Sequence, residues 1–425
     1  MHLFSLPKLW RALEILCRHR QPHILLTFAG LLMGRPSLAQ DTTLVRLLRR
    51  NSYPLSQVGT RFAGTGWDRL RQDVRQSQFV LLGEDHGTAQ IPLLAQALAQ
   101  EQRPALYVAE IDPYQAQDLT QLAAQPGLPS AYLRQHPLGL SFYSWTEEFE
   151  LVRYFRTQQV PLVGIDQVSI TSTGRLLTRL AGQVRSQTTK RALLERAATY
   201  QAQDISAMRQ ANNRYSLATL PTSALDSLRQ LTHAESPAVK QQIRDLTASS
   251  EIYRLSSSEG SRSHQLRISL MKQKLLQVLK PYQTGPGQPL PKLFFKFGAF
   301  HMSRGLSLVA GVYDVGNLVA NLADAQQAQS LHLLVVGKQG TKLEGFNPDD
   351  FSKNTVAYSN MDEKVLAPFL RSVIPTATWQ VTDLRPIRQA LLRDELKAAS
   401  QDIATTILGY DYLIVIPETT ASRNY

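Results

Sequence analysis

The stretch FVLLGEDHGT at residues 79–88 decides the fold, because four apolar residues run into a glycine, two acids and a histidine. A short apolar run that ends at glycine is typical of a strand buried on both faces. Polar side chains that follow such a strand lie at its carboxyl end, where open α/β sheets bind their ligands. Residues 79–88 therefore predict a buried parallel strand with a candidate site at its end.

Four more apolar runs repeat this pattern, at residues 105–109, 161–165, 292–297 and 331–336. Stretches with apolar residues at helical spacing lie between them, such as residues 91–98 and 149–155. Alternation of strand and helix predicts the α/β class, with a mainly parallel sheet and flanking helices. The last apolar run, residues 412–416, either completes this sheet or forms its edge.

The middle of the chain has a different pattern. No glycine occurs between Gly182 and Gly260, and apolar residues recur there at helical spacing. We therefore expect a helical insertion, or cap, at residues 174–285, folded over the strand ends. The α/β domain would then have two parts, residues 40–173 and residues 286–425.

The first 39 residues have the pattern of a signal peptide. Basic residues precede the apolar run at residues 24–33, and Ser37-Leu38-Ala39 is a small-x-small cleavage pattern. The run is shorter than the ~20 residues of a membrane-spanning helix, and the sole cysteine, Cys17, precedes it. We expect a mature chain that starts at Gln40, has no thiol or stable membrane anchor, and is periplasmic or secreted.

The chain of 425 residues carries a net charge of +12, from 46 lysines and arginines against 34 acids. These cations are scattered and do not form a nucleic-acid-binding motif. The sequence therefore indicates a small-molecule or peptide substrate and no nucleic-acid partner.

Ionisable residues follow four of the predicted strands: Glu84 and His86, Glu110, Asp166, and His301. The carboxyl ends of parallel strands meet at one edge of a sheet, so we expect these side chains to lie close together. Side chains alternate along a strand, which places Glu84 and His86 on one face and Asp85 on the other.

Two chemistries fit these residues. His86, Glu110 and His301 can bind a divalent metal that activates water. Without a metal, a histidine and a glutamate can activate water as a general base. The candidate catalytic residues are therefore Glu84, His86, Glu110 and His301. The candidate substrate-binding residues are Asp166, Arg262, Arg267 and Arg304. We expect structural roles for four other polar residues, Asp85, Asp112, His264 and His332.

Two Gly-x-x-His motifs, at residues 83–86 and 298–301, flank the strand-end Glu110. Together they resemble the TraB/Tiki, ChaN and erythromycin-esterase-like superfamily. The esterase branch has a similar Gly-Glu-x-x-His-Gly-Thr loop, one residue longer between glutamate and histidine, and a similar Arg-x-x-x-Met helix, here residues 267–271. The resemblance covers residues 79–337.

This resemblance implies three possible functions. Tiki-like members are metal-dependent hydrolases, which implies Mn, Co or Zn on the two histidines and the glutamate. Erythromycin esterases hydrolyse a macrolide ester with histidine and glutamate, and ChaN-like members bind haem. We expect an exported hydrolase that cleaves an ester or amide. The alternatives are a haem-binding or iron-uptake protein, with Tyr107, Tyr114 or a histidine as axial ligand, and a non-catalytic binding module.

Overall fold

The computed structural model describes residues 37–283, 288–307, 311–359, 363–373 and 378–425. Residues 1–36 of the predicted signal peptide, residues 1–39, lie outside these ranges. The first described helix, Ser37–Arg50, runs through the predicted cleavage site.

Within the described ranges, ten strands form one sheet. The strands are β1 (Ser52–Val58), β2 (Arg61–Ala63), β3 (Phe79–Glu84), β4 (Leu106–Ala109), β5 (Leu162–Gly164), β6 (Leu293–Gly298), β7 (Ser330–Leu343), β8 (Thr355–Ala357), β9 (Trp379–Asp383) and β10 (Tyr412–Thr419). Their order is β2-β1-β9-β10-β7-β3-β6-β4-β5, and β8 pairs with the end of β7. The strands from β10 to β5 run parallel, while β9, β1 and β2 add an antiparallel extension.

Sixteen α-helices occur in the same described ranges: α1 (Ser37–Arg50), α2 (Thr65–Gln76), α3 (Gln90–Gln102), α4 (Pro113–Leu122), α5 (Ser130–Gln135), α6 (Thr146–Thr157), α7 (Thr173–Ala181), α8 (Gln187–Arg209), α9 (Ser216–Thr219), α10 (Thr222–Leu231), α11 (Pro237–Ser256), α12 (Gly260–Leu279), α13 (Val315–Ala325), α14 (Glu363–Arg371), α15 (Arg385–Leu392) and α16 (Gln401–Gly409). Short 3₁₀ helices lie at Ser141–Ser144, Lys280–Tyr282, Ala299–Met302 and Phe351–Asn354. The predicted α/β class with a mainly parallel sheet is confirmed.

Both faces of the sheet are covered, which explains the continuous apolar runs. Val80 and Leu82 of β3 pack on one face, in a core with residues of α2, α3, α4 and α6. Phe79 and Leu81 point to the other face and pack with α12, α13, α15 and α16. The strand β10 lies between β7 and β9, so the last apolar run is an interior strand and not an edge.

Helices α7 to α12 lie between β5 and β6 in the chain, where the sequence predicts the insertion. Apolar residues of α7, α8, α10 and α11 form a separate small core. Helix α12 differs from them because Met271, Leu275 and Leu279 pack against the main sheet. No helix in the described ranges is both long and apolar enough to cross a membrane.

Candidate active site

The strand β3 delivers two of the predicted residues, Glu84 and His86, to the carboxyl edge of the sheet. After Glu84 the chain turns sharply at Gly87, where φ is +93° and a Cβ atom would lie 2.0 Å from the carbonyl oxygen of Leu343. Only glycine fits this turn. The His86 ring folds back, and its Nδ1 donates to Oε1 of Glu84 over 2.7 Å.

Glu110 follows β4 and lies between the two predicted histidines. Its Oε2 is 3.5 Å from Nε2 of His86, and its Oε1 is 3.4 Å from Nε2 of His301. The backbone N–H of Gly298 donates to Oε2 over 2.6 Å. A Cβ on Gly298 would lie 3.2 Å from Nε2 of His86, so the glycine of this Gly-x-x-His motif leaves room for the contact between His86 and Glu110.

His301 lies in the 3₁₀ turn after β6 and has its own carboxylate partner. Asp314, the N-cap of α13, accepts from Nδ1 of His301 over 2.8 Å and from the backbone N–H of Val315. Two carboxylate–histidine pairs, Glu84–His86 and Asp314–His301, thus present their Nε2 atoms to opposite oxygens of Glu110. A carboxylate at Nδ1 fixes the tautomer and orientation of the ring.

The insertion contributes Arg267 from α12. Its guanidinium donates to Oε1 of Glu110 over 2.7 Å, and it makes two hydrogen bonds to Asp166, which follows β5. Asp166 therefore orients Arg267. The strand-end residues Glu84, His86, Glu110, Asp166 and His301 lie in one hydrogen-bonded group, as their order in the sequence led us to expect.

The charges in this group shift its pKa values. Burial lowers the pKa of His86, but hydrogen bonds to Glu110 and Glu84 outweigh burial and raise this pKa to about 9. For His301, burial also lowers the pKa, and the charges of Asp314 and Glu110 raise it to about 10. Burial would raise the pKa of Glu110, yet the adjacent His301 holds it well below its ordinary value. Both histidines are therefore protonated at neutral pH.

Two of the predicted arginines lie elsewhere. Arg262 is 62% exposed and bonds Glu259 of the preceding turn. Arg304 donates to Asp411 and to the carbonyl of Ser330, the first residue of β7, so it lies at the opposite, amino edge of the sheet. The chain leaves the carboxyl edge after His301, so Arg304 lies away from the site although it is only three positions later in the sequence.

Among the four residues with expected structural roles, Asp112 caps α4 and pairs with Arg175. Asp85 points away from Glu84 and pairs with Lys342. His332 is buried at the amino edge. His264 lies beside the site instead, with its ring centroid 6.1 Å from that of His301. Its position three residues before Arg267 places both on the same face of α12.

Sequence reasoning missed Asp314, the partner of His301, and three further residues around this group. Lys296 of β6 bonds Glu84 and Glu148, and Glu148 comes from α6. The Phe142 ring stacks on the His86 ring with 4.0 Å between centroids. The signal for Lys296 was visible, since a lysine interrupts the apolar run at residues 292–297. Phe142 and Glu148 carry no comparable signal.

The cavity beside His86 is small. It has a volume of about 10 Å³, room for roughly one water molecule, and its lining includes Glu84, His86, Glu110, Phe142 and Lys296. The Phe142 ring lies flat on the ring of His86, which is the most exposed residue of the group, with 24% of its side chain exposed.

The predicted metal ligands do not fit a metal ion in this arrangement. Among the described residues, no group of three or more histidine, cysteine, aspartate or glutamate side chains has the geometry to hold one. Both oxygens of Glu110 already accept hydrogen bonds, from Arg267 and from the Gly298 N–H. The positive charge of Arg267 is adjacent to Glu110 and would repel a metal ion bound to that carboxylate.

The predicted tyrosine ligands do not fit haem either. Tyr107 is fully buried and its hydroxyl lies 2.9 Å from that of Tyr143. The Tyr114 hydroxyl donates to Asp245 over 2.7 Å. Both hydroxyls are therefore already hydrogen-bonded to partners within the protein.

Comparison with solved structures shows the class of fold. A succinoglycan biosynthesis protein aligns over 92% of this chain and 100% of its own, with 11% identity and a TM-score of 0.56. A variant of the erythromycin esterase EreC in its open conformation aligns over 84% of this chain and 94% of its own, with 13% identity and a TM-score of 0.54. A Bacillus cereus protein aligns over 91% of this chain and 99% of its own, with 15% identity and a TM-score of 0.51.

This chain thus shares the fold of these three solved structures, one of which is an erythromycin esterase, and the fold expected from the two Gly-x-x-His motifs is confirmed. No protein-family model and no curated protein matches the sequence.

Proposed function

We propose that this protein is a hydrolase that activates water with histidine and glutamate and cleaves an ester or amide bond. One observation carries the proposal: two carboxylate–histidine pairs aim their Nε2 atoms at opposite oxygens of Glu110. Catalytic sites are where ionisable groups with strongly shifted pKa values converge.

His86 is the proposed general base. In the neutral form of His86, Glu84 accepts from Nδ1–H, which leaves the Nε2 lone pair to accept a proton from water. The water oxygen then bonds to the carbonyl carbon of the substrate, and the carbonyl becomes an oxyanion. When the intermediate collapses, the bond to the leaving group breaks and the leaving group takes the proton from His86.

His301 and Arg267 are the proposed stabilisers of the oxyanion. Burial lowers the pKa of His301, but the charges of Asp314 and Glu110 on either side of its ring raise this pKa to about 10, so we assign the protonated role to His301. Glu110 accepts from Arg267 and lies beside both histidines, so it holds these donors at the site and orients the water.

The substrate we propose is a small-molecule ester or a peptide, admitted when Phe142 leaves the His86 ring. The insertion would act as a cap over the strand ends, because Arg267 of α12 already reaches Glu110. Asp166 would then orient Arg267 and not contact the substrate directly. We further propose that the protein is exported and works in the periplasm or outside the cell, with no nucleic-acid partner.

A screen of p-nitrophenyl acetate, p-nitrophenyl butyrate and peptide p-nitroanilides tests the proposal. The wild-type protein should release p-nitrophenol or p-nitroaniline, and H86A and H301A should not. H233A is the matched control, since His233 is exposed and bonds only a backbone carbonyl among the contacts described for it. Equal activity in H86A, H301A and wild type would overturn the proposal. Elemental analysis and an absorbance spectrum of the same sample test for a bound metal and for haem.

A further inference from the structure

A buried chain of charges lies directly beneath His86. The ammonium of Lys296 is 2.6 Å from Oε1 of Glu148 and also donates to Oε1 of Glu84. The side chains of Lys296, Glu84 and Glu148 are only 4%, 1% and 2% exposed. We call these three residues the buried charge chain.

The sheet register places this chain on one face. Lys296 pairs with Leu82 in the register of β6 and β3, and Glu84 lies two residues further along β3 on the same side. The neighbouring positions on that face, such as Val80 and Phe294, belong to the apolar core that α6 covers. Glu148, on α6, reaches the two strands from above.

Such a chain is expensive for stability. Moving a charge out of water costs several kcal/mol, and well-packed apolar residues of similar size often replace a buried ion pair at no loss. Lys296 interrupts an otherwise apolar run, so an apolar side chain there would continue the core. The fold alone therefore gives no reason for a lysine at this position.

The geometry supplies another reason. Lys296 and His86 both donate to the same atom, Oε1 of Glu84. In the part of the chain that the structure describes, Oε2 of Glu84 and Oε2 of Glu148 are buried without a hydrogen-bond partner. The Glu84 carboxylate is thus held only through the oxygen that faces His86, and Lys296 is the only other side chain described as donating to it.

We propose that Lys296 and Glu148 are positioning residues, which lock the Glu84 carboxylate onto Nδ1 of His86 and so aim Nε2 at the reacting water. This inference rests on the proposed function. Glu148 places Lys296 between the two carboxylates. Other ionisable groups that face this chain are Tyr143 and Tyr107, whose hydroxyls lie 2.9 Å apart and whose pKa values are raised by burial, so they stay neutral.

The first test compares K296M with K292M. Lys292 lies four residues earlier and donates only to a backbone carbonyl among its described contacts, so K292M is the matched control. K296M should lower kcat about 10²-fold with little change in KM, because the base is misaligned and the binding surface is intact. K292M should match wild type. Unchanged kcat in folded K296M would overturn the proposal.

The second test does not depend on activity. A hydrogen-bonded Nδ1–H of His86 gives a downfield proton resonance, assigned by its absence from H86A. In K296M this resonance should broaden or vanish. In E148Q it should shift, because the amide oxygen is an uncharged and weaker acceptor, so that Lys296 interacts more strongly with Glu84. E148Q has the shape of wild type, which keeps the test decisive if K296M does not fold.

An unshifted resonance in E148Q would overturn the inference. If no substrate is cleaved by wild type, the proposed function fails while the resonance still decides whether Lys296 and Glu148 position His86. If wild type is active and neither variant changes kcat or the resonance, the inference alone fails.

Discussion

The two edges of the sheet each bury a histidine next to charged residues, yet they differ in how that histidine is bonded. At the carboxyl edge, His301 faces two carboxylates, Asp314 at Nδ1 and Glu110 at Nε2. At the amino edge, His332 uses Nδ1 on the carbonyl of Met302 and Nε2 on the hydroxyl of Ser330. The first ring lies between anions, and the second between neutral groups.

The electrostatic consequences are opposite. Burial and the charge of Arg304 lower the pKa of His332 to about 4, so that ring is neutral. The nearby Asp411 is paired with Arg304 and Arg388, and its charge does not offset the effects of burial and of Arg304 on the pKa of His332. His301, with a pKa of about 10, is charged. The charge of a buried histidine therefore depends on its hydrogen-bond partners and not on burial alone. His332 at the amino edge serves as the neutral control for His301.

The largest expected effect separates the two edges by activity. H86A and H301A should each lower kcat/KM about 10²- to 10⁴-fold, because each removes a proton-transfer or charge-stabilising group. H332N should keep the activity of each folded molecule, since its asparagine can still donate to Met302. Steady-state kinetics on the best ester, normalised to folded protein, measures this. Equal losses in H332N and H301A would remove the distinction between the edges.

A smaller effect compares neighbours at the carboxyl edge. E84Q should lose about 10²-fold in kcat because an amide is a weaker partner for Nδ1 of His86. D85N should lose less than about tenfold, since Asp85 pairs with Lys342 on the other side of the strand end. Thermal melts of both variants show whether the losses in kcat result from reduced stability of the folded protein. If D85N were the more damaging variant in kcat, the assignment of the two side chains would be wrong.

The pH profile sharpens the contrast within the site. His86 must be neutral to act as base, so kcat/KM should rise up to about tenfold per pH unit toward a pKa of about 9. His301 must be protonated, so the rate should fall above about pH 10. A stopped assay with an amide substrate avoids alkaline hydrolysis of esters. A rate that declined steadily from pH 6 to 9 would exclude His86 as the base.

The sequence was sufficient for five residues of the carboxyl edge, because each of them ends or follows a strand: Glu84, His86, Glu110, Asp166 and His301. Apolar runs predicted strands β3, β4, β5 and β6, and parallel strands end at one edge. The alternation of side chains also placed Glu84 and His86 together and Asp85 apart, as the structure does. This common edge can be predicted from the strand order and direction alone, without knowledge of side-chain packing.

The remaining residues depend on long-range packing, which a single sequence does not display. Arg304 follows His301 by three positions, but the chain passes across the sheet and carries it to Asp411. Glu148 lies on a helix whose rotation over the sheet brings it to Lys296. His264 lies inside the helical insertion, so the sequence predicts a structural role for it, and its neighbour in space, His301, is 37 positions away (301 − 264).

The smallest expected effect is on stability, and it has opposite signs at the two edges. The pKa of His332 is lowered in the folded state, so its contribution is present above pH 6.5 and is lost as pH falls toward 4. The pKa of His301 is raised, so its contribution is present below pH 6.5 and is lost as pH rises toward 10.

Where the folded and unfolded states differ by one bound proton, the free energy of unfolding changes by about 1.4 kcal/mol per pH unit. In H332N the free energy of unfolding should therefore lose a pH dependence of up to this size between pH 6.5 and 4. In H301Q it should lose a pH dependence of up to this size between pH 6.5 and 10. Urea unfolding of the three proteins across pH 4 to 10 measures both. If H332N and H301Q differed from wild type by the same amount at every pH, the charge states assigned to the two histidines would be wrong, and the contrast between the edges would reduce to packing alone.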